Sequence, residues 1–246
     1  MTQTFTLHSP VYTDAINLGL SIVNDKIGPL RNTSVFLDYA FRVKLSKKSK
    51  LALGMKVGLN YSTINLIDLN GADPNDQLTM IKGNILDLNI GTGIYYSRDN
   101  FYAGLSTPKL LQNNYEISDI KDKLVIEKRH YYFIMGGLIP LSKAVTLKPT
   151  AFVKATQAAP IEADMTAEFI LIKRYSLGAM YRTGDAVGFL IGIGITKQLN
   201  IGYSFDCSFV NNTAKYNYGS HEIMLRYDLI DSRNKKNHSR NCFCNF

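Results

Sequence analysis

The chain has 246 residues, of which 46% are hydrophobic, and this length fits a single all-β domain. Its formal net charge is +8 at pH 7, but much of the excess lies in turns and in the C-terminal tail, at Lys47, Lys48, Lys50, Arg233, Lys235, Lys236 and Arg240. Basic residues at connections are typical of a solvated surface, so we predict no nucleic-acid binding. The longest apolar run, residues 187–195, is too short for a membrane helix, which needs about 20 residues.

Thirteen stretches of the chain alternate apolar and polar residues, which is the period of a β-strand with two different faces. In chain order they are residues 5–7, 16–22, 35–43, 51–61, 86–96, 101–105, 131–139, 145–155, 163–171, 175–181, 187–195, 199–209 and 221–229. A soluble sandwich would turn the apolar face inward, whereas a membrane barrel turns it toward lipid. Alternation alone therefore leaves both architectures open.

The connections between these stretches favour the barrel. Tight connections lie at residues 10–14, 46–49, 97–100, 140–143, 173–174 and 196–198, and longer ones alternate with them at 24–32, 63–84, 107–129, 156–160 and 210–219. Residues 183–185 are an exception, because they form a short connection at the strand ends that otherwise carry the longer ones. Short periplasmic turns opposite longer external loops are typical of outer-membrane barrels. We therefore predict an antiparallel transmembrane β-barrel in the outer membrane, with the short turns in the periplasm.

The polar face of the predicted barrel carries charges of both signs. They are Asp38, Arg42, Lys44, Lys56, Asp87, Lys148, Lys154, Glu162, Asp164, Glu168, Arg174, Arg182, Asp206, Glu222, Arg226 and Asp228. As lumen charges we single out Asp38, Arg42, Lys56, Glu168, Glu222 and Arg226. Mixed signs favour a cross-linked lumen over an ion-selective one. The simpler interpretation, that these charges only stabilise the barrel, stays open.

The odd number of strands predicts a missing one. Bacterial single-chain barrels have an even number of strands, and both chain ends are usually periplasmic. We expect a further strand and a signal peptide upstream of Met1, which would give fourteen strands in the intact protein. Residues 1–229 would then form the barrel, and residues 230–246 a basic, flexible periplasmic tail.

Candidate catalytic and metal-binding residues are few. The pairs His8-Ser9 and Ser220-His221 each set a hydroxyl beside an imidazole. Neighbouring residues on a strand point to opposite faces, so the two side chains of a pair cannot act together as nucleophile and base. Cys242-x-Cys244 near the chain end is a weak metal signal, and Cys207 is interpreted as a small hydrophobic residue. We predict that the protein is not an enzyme and needs no cofactor or metal.

Seven short segments form distinctive motifs, at residues 24–29 (NDKIGP), 101–106 (FYAGLS), 147–149 (LKP), 153–155 (VKA), 181–186 (YRTGDA), 201–206 (IGYSFD) and 220–227 (SHEIMLRY). In these segments the chain resembles the PorP/SprF family. The resemblance runs in order from about Thr2 to Leu229. It departs from the family at the N-terminus, where the first strand is absent, and in the tail at residues 241–246.

The resemblance implies an outer-membrane barrel of type IX secretion and gliding motility in Bacteroidota, which exports or anchors secreted cargo at the cell surface. The implied partners are a cargo protein with a C-terminal sorting domain, other type IX secretion components and periplasmic peptidoglycan-associated proteins. The alternatives are a passive outer-membrane pore and a structural membrane anchor for a periplasmic complex.

Partner-binding residues are expected on the external side, because mixed charge suits recognition of a folded partner and apolar anchors supply binding energy. Our candidates, from the loops at 63–84 and 107–129 and from the external rim of the barrel, are Asp73, Asp76, Leu110, Leu111, Tyr115, Asp119, Arg182 and Asp206. The alternative interpretation is that both loops only fold back over the barrel mouth.

Overall fold

The regular structure of the chain consists of antiparallel β-strands, as a computed structural model shows. The structure describes residues 1–11, 15–65, 82–112, 114–116, 123–126, 128–209 and 219–229. The strands are β1 (Thr2–Pro10), β2 (Ile16–Ile27), β3 (Leu30–Lys44), β4 (Ser49–Asn65), β5 (Lys82–Arg98), β6 (Phe101–Thr107), β7 (Asn114–Glu116), β8 (Lys123–Ile126), β9 (His130–Gly137), β10 (Ile139–Pro140), β11 (Val145–Thr156), β12 (Glu162–Leu171), β13 (Tyr175–Arg182), β14 (Ala186–Gly194), β15 (Leu199–Ser208) and β16 (Ser220–Tyr227). Within these ranges no helix is long and apolar enough to cross a membrane.

Fourteen of the strands belong to one sheet. Thirteen of them follow one another in the order β1-β2-β3-β4-β5-β6-β9-β11-β12-β13-β14-β15-β16, and the two-residue β10 pairs with β11. The thirteen strands of this path correspond to the thirteen predicted stretches, so the all-β, antiparallel prediction is confirmed. The tight connections at 45–48, 99–100, 172–174 and 195–198 also lie where they were predicted.

The sheet buries its polar side chains and exposes its apolar ones. Along β12, β13 and β14 exposure alternates, so that Met165, Leu177 and Ile191 are exposed while Asp164, Glu168 and Ser176 are buried. The fully buried large side chains among the described residues are Asn60 and Asn89. A protein that folded in water would have the opposite arrangement, because burial of apolar surface drives its folding. The exposed face therefore needs a non-aqueous surrounding.

The chain divides into two compact units. The first consists of Met1–Tyr96, Gly104–Tyr132 and Thr156–Ala159, and the second of Ser97–Ala103, Phe133–Ala155 and Pro160–Phe246. In the first unit the long strands β2, β3 and β4 pair along their full length, from Ile16↔Phe41 to Ile27↔Leu30 and from Lys44↔Lys50 to Leu30↔Ile64. In the second unit the shorter strands β11 to β16 pair in sequence.

The predicted long connection at residues 24–32 is wrong. Strands β2 and β3 continue to Ile27 and Leu30, and only Gly28 and Pro29 form the turn between them. Gly28 has a φ of 56°, a left-handed conformation that glycine adopts without steric cost. The strands continue here through a mainly polar stretch, in which polar side chains hydrogen-bond to one another across the sheet, as described below.

The predicted loop at 107–129 contains structure of its own. Strands β7 and β8 form a two-stranded sheet in which Tyr115 lies opposite Val125. Before it, the segment that follows β6 runs beside β5, where the Leu110 N–H donates to the Ile90 carbonyl at 2.8 Å. This part of the connection is therefore fixed to the sheet.

Candidate functional site

Five charged side chains meet on the polar face of the second unit, at the strand ends that carry connections 157–161, 183–185 and 209–219. We call them, together with Asp185 of the β13–β14 turn, the rim cluster. Its members are Lys154, Glu162, Asp164, Arg182, Asp185 and Asp206. They converge because antiparallel pairing sets Asp164 opposite Arg182 and Lys154 opposite Glu162.

Arg182 is the centre of the rim cluster. Its Nε donates to Asp164 Oδ1 at 2.8 Å and its Nη2 donates to Asp164 Oδ2 at 3.2 Å, a two-point contact that fixes the guanidinium plane. Glu162 Oε1 lies 2.9 Å from Nε, and Asp206 Oδ2 lies 3.9 Å from Nη2. The prediction named Arg182 and Asp206 as a pair of rim residues, and the structure places both in one network.

The rim cluster continues on both sides of Arg182. Lys154 Nζ donates to Glu162 Oε1 at 3.1 Å, and Ser208 Oγ donates to Asp185 Oδ1 at 2.8 Å. Four carboxylates face two cations, so the cluster has a net negative charge in a chain whose net charge is +8. The side chains of Asp185 and Asp206 are 49% and 32% exposed, so these two carboxylates are accessible to a charged partner.

A glycine makes room for Asp206. Gly188 lies directly opposite Asp206, and a Cβ atom at Gly188 would lie 2.6 Å from Asp206 Oδ1 and 3.0 Å from Met180 Cε. The carboxylate occupies the space that a larger residue would fill. The sequence prediction placed glycines on this face but could not assign this role, because the role depends on strand register.

A second ion pair lies deeper on the same face. Lys148 Nζ is 3.1 Å from Glu168 Oε2, the two residues are cross-strand partners, and their side chains are only 7% and 6% exposed. A buried pair of this kind compensates its desolvation only while both partners are present. Glu168, one of the predicted lumen charges, therefore lies on the buried polar face of the sheet, and its partner there is Lys148.

Tyr102 also fills the polar face of the second unit. It is 5% exposed, and its hydroxyl is 3.0 Å from Thr150 Oγ1. Its ring reaches that position over Gly136 of β9, where a Cβ atom would collide with the ring and would lie 2.9 Å from the Pro149 carbonyl oxygen. The tyrosine and the buried ion pair occupy this face with ordered side chains.

Three of the remaining predicted lumen charges, Asp38, Lys56 and Arg42, lie in the first unit. Asp38 Oδ1 is 3.4 Å from Lys56 Nζ, and Asp38 Oδ2 accepts a hydrogen bond from Ser21 Oγ at 2.8 Å. Lys56 Nζ also lies 4.8 Å from the centroid of the Phe36 ring, a cation–π contact. Arg42 lies opposite Ala52, on the polar face of β3.

The other two predicted lumen charges, Glu222 and Arg226, lie on β16. Arg226 binds Asp228 Oδ1 through Nε at 3.0 Å and through Nη2 at 2.9 Å. Glu222 is exposed and lies opposite Ser204. Arg226 and Asp228 therefore form an ion pair at the end of the strands opposite to the rim cluster.

The apolar loop candidates differ in their surroundings. Leu110 is held through both backbone groups, since its N–H donates to the Ile90 carbonyl of β5 and its carbonyl accepts at 2.6 Å from the Nε of Arg129, the residue before β9. Leu111 is 38% exposed, and Tyr115 belongs to β7. Asp73, Asp76 and Asp119 lie outside the described residues, as do Cys242 and Cys244.

The sequence prediction missed a polar extension of the sheet, which we define as residues 1–4, 23–27, 30–34 and 60–65 of β1 to β4. On one face Thr33 Oγ1 donates to Asn24 Oδ1 at 3.3 Å, and Asn24 Nδ2 donates to Gln3 Oε1 at 3.4 Å. On the other face, cross-strand hydrogen bonds join Thr2 to Asp25 at 2.6 Å and Ser62 to Asn32 at 3.1 Å. Both faces of the extension thus carry bonded polar side chains, and apolar residues return at its tip, in the row Ile27, Leu30 and Ile64.

The apolar exposed face, the polar buried face and the antiparallel strand order together define a membrane protein that crosses the bilayer with β-strands. The chain matches the family model of the type IX secretion system membrane protein PorP/SprF over residues 1–227. It therefore belongs to the PorP/SprF family, an outer-membrane component of type IX secretion. A comparison with curated proteins finds no match.

Proposed function

We propose that this protein binds secreted cargo on the external side of the outer membrane and helps to export it or to hold it at the cell surface. The observation that carries the proposal is the rim cluster, in which Arg182 orders an excess of carboxylates at the strand ends. Charges fixed in this way give specificity toward a partner of complementary charge. A basic face of a cargo sorting domain is the partner that fits them.

The orientation of the proposal follows from the connections. In the first unit, the polar extension lies at the strand ends opposite to the turn 45–48. In the second unit, the rim cluster lies at the strand ends opposite to the turn 195–198. Outer-membrane barrels keep short turns in the periplasm. The β2–β3 turn has only two residues, so connection length alone distinguishes the two ends of the strands less clearly. The polar extension supports the same orientation, because there the sheet itself continues beyond the apolar band.

A passive pore is the second candidate function. The side chains on the polar face of the second unit argue against it, since Lys148, Glu168 and Tyr102 are buried and bonded to one another or to neighbouring strands. A conducting lumen is lined by hydrated groups. A third candidate, a structural anchor for periplasmic proteins, would place the functional surface at the opposite strand ends, near Arg226 and Asp228.

The experiment exchanges one charge at each end of the strands in the full-length protein. Asp206→Lys should lower the amount of cargo on the cell surface by roughly five- to tenfold, because a partly exposed charge contributes about 1 kcal/mol and its reversal adds repulsion. Asp228→Lys is the matched control, since it makes the same charge change at the other end. Both variants are first checked for assembly by heat-modifiable migration of the membrane fraction.

Equal loss of cargo in the two variants would indicate an effect of overall charge, and normal cargo in Asp206→Lys would exclude the rim cluster as the docking surface. Loss of periplasmic partners in Asp228→Lys, with normal cargo display in both variants, would support the structural anchor instead.

A further inference from the structure

Strand register locates the limit of the apolar face of β1 to β4 on the side of the β2–β3 turn. Phe5, Ile22, Val35 and Leu59 form one row across the four strands. They are the last row of this face in which every residue is apolar, and Phe5, Val35 and Leu59 are 57%, 43% and 49% exposed. This row therefore marks the edge of the hydrocarbon layer on the side of the β2–β3 turn.

The next row is an interfacial one. It consists of Gln3, Asn24, Thr33 and Tyr61, in register across the same strands. The first three are linked by side-chain hydrogen bonds, and Tyr61 is 46% exposed. Tyrosine is enriched at the level of lipid headgroups, where its ring contacts acyl chains and its hydroxyl contacts water.

The row after that is cationic. Lys26 and Arg31 are directly opposite each other, Thr63 is the next residue across, and all three project from the same face as the apolar row. Lys26 and Arg31 are exposed. They lie about 13 Å along the strands beyond Ile22 and Val35, at roughly 3.3 Å per residue, which becomes about 10 Å along the membrane normal for a strand tilted by about 40°. Long basic side chains at this height reach back to the headgroups.

Two like charges opposite each other destabilise a strand pair unless something neutralises them. Within the described part of the chain, no carboxylate lies within ion-pair distance of Lys26 or Arg31. Asp25, the nearest acidic residue in the sequence, is on the other face and accepts a hydrogen bond from Thr2 at 2.6 Å. The position therefore calls for an external anion.

We propose that Lys26, Arg31 and Thr63 bind the phosphate group of a membrane lipid headgroup at this rim of the protein. The guanidinium of Arg31 would bind two phosphate oxygens, Lys26 would supply the second charge, and the Thr63 hydroxyl would donate a hydrogen bond. The lipid source is favoured because the three residues project from the lipid-facing side of the sheet, two rows beyond the apolar row. The site rests on the membrane location of the protein and does not depend on cargo binding.

The test uses full-length protein in detergent micelles and native mass spectrometry with diphosphoryl lipid A as the probe. Lys26→Gln/Arg31→Gln should weaken binding at least about tenfold, since each hydrogen bond to a charged group contributes about 1.5–3 kcal/mol. The control is Lys44→Gln/Lys50→Gln, a cross-strand pair on β3 and β4 that projects from the polar face. This control removes the same charge, and binding should stay within about twofold of the unaltered protein.

Three further measurements separate specific binding from other causes: a charge-conserving variant, a dephosphorylated probe and competition with inorganic phosphate. Lys26→Arg keeps the charge and should keep the affinity, and it remains informative if the double variant fails to fold. Dephosphorylated lipid A should bind as weakly to the unaltered protein as the phosphorylated probe binds to the double variant. Unchanged binding in the double variant, equal losses in the control, or full displacement of lipid A by millimolar inorganic phosphate would each overturn the assignment to a lipid headgroup.

Discussion

Arg182 and Asp164 are cross-strand partners joined by two hydrogen bonds, from Nε at 2.8 Å and from Nη2 at 3.2 Å. The side chain of Arg182 is 21% exposed and that of Asp164 is 11% exposed. The pair holds the guanidinium so that its remaining contacts, with Glu162 and Asp206, are set by backbone register. Arg182 thus stabilises the rim, while Asp185, Glu162 and Asp206 are its accessible acidic groups.

Replacement of Arg182 should separate these roles. Arg182→Ala leaves Asp164 poorly compensated and should lower the free energy of unfolding by about 2–3 kcal/mol. Asp206→Asn, which loses only a contact at 3.9 Å, should cost less than about 1 kcal/mol. Urea unfolding in lipid vesicles can be followed by tyrosine fluorescence, because the chain contains 15 Tyr and no Trp. Equal costs would mean that Arg182 does not organise the rim.

The buried pair Lys148–Glu168 should show strong coupling. Lys148→Met alone or Glu168→Leu alone should cost about 3–5 kcal/mol, because each leaves one charge buried without its partner. The double variant should recover most of this loss, since two apolar residues of similar size need no charge compensation. A double-mutant cycle on unfolding free energies measures the coupling, and additive costs would contradict the pairing.

The exposed apolar face should tolerate no charge. Leu53→Arg or Ile191→Arg should cost roughly 2–4 kcal/mol in a bilayer, whereas Gly54→Ser on the other face should cost little. The structure explains the second expectation, since the atom nearest to a Cβ at Gly54 is the Gly93 carbonyl oxygen at 3.7 Å. Unfolding in vesicles of defined thickness compares the three variants. Equal costs at Leu53 and Gly54 would shift the register by one residue.

Glycines on the polar face should differ sharply from one another. At Gly58 a Cβ would collide with the Phe36 ring and the Val35 carbonyl, so Gly58→Ala should destabilise the first unit by about 1–3 kcal/mol. Gly54→Ala, four residues earlier on the same face of β4, should cost less than about 1 kcal/mol. Alanine loses less backbone entropy on folding than glycine, so the substitution itself favours the folded strand. The same unfolding assay tests the pair, and similar costs at both positions would contradict the packing of Phe36 against Gly58.

Orientation can be measured by cysteine labelling of intact cells in a variant whose three natural cysteines are replaced by serine. A cysteine at Pro29, in the β2–β3 turn, should react with a membrane-impermeant reagent, and one at Lys48, in the β3–β4 turn, should not. Labelling of broken membranes confirms that both positions are reactive once accessible. The reverse pattern in intact cells would invert the predicted topology of β2 to β4.

The connection between β6 and β9 provides a test of cargo docking apart from the rim. Deletion of residues 112–126 removes the β7–β8 sheet and leaves the segment around Leu110, which is bonded to β5, in place. If this connection binds cargo, cargo display should fall while assembly in the membrane is unchanged. Surface immunodetection of cargo, with the culture medium as a measure of export, gives both readouts. Unchanged display and export would exclude this connection from docking.

The thirteen strands were predictable because lipid on one side and polar groups on the other impose strict alternation on each of them. The polar extension was not predictable, because Asn24, Asp25 and Lys26 are all polar and therefore show no alternation of apolar and polar residues. In such a segment the strand is stabilised by cross-strand hydrogen bonds, which depend on register and leave no local signal. Residues 24–32 were therefore predicted as a loop.

The candidate site was predictable in part for the same reason. Sequence position identified Arg182 and Asp206 as polar-face residues near a strand end, but only the register shows that Asp164 is the residue bound by Arg182. The role of Gly188 beside Asp206 also requires the neighbouring strand. Side-chain faces can be read from one strand at a time, whereas ion pairs need two strands aligned to within a residue.

The polar extension also has a mechanical consequence. Its strands continue into the membrane-facing part of β1 to β4 without interruption, and β2 and β3 are joined at their tip by a turn of only two residues. A load applied to that tip along the strand direction would pull β2 and β3 together past β1 and β4. The hydrogen bonds between antiparallel strands run perpendicular to the strands, so many of them would share this load in shear instead of opening one after another. Drag on anything attached at the tip would thus be carried into the bilayer by the sheet as a whole.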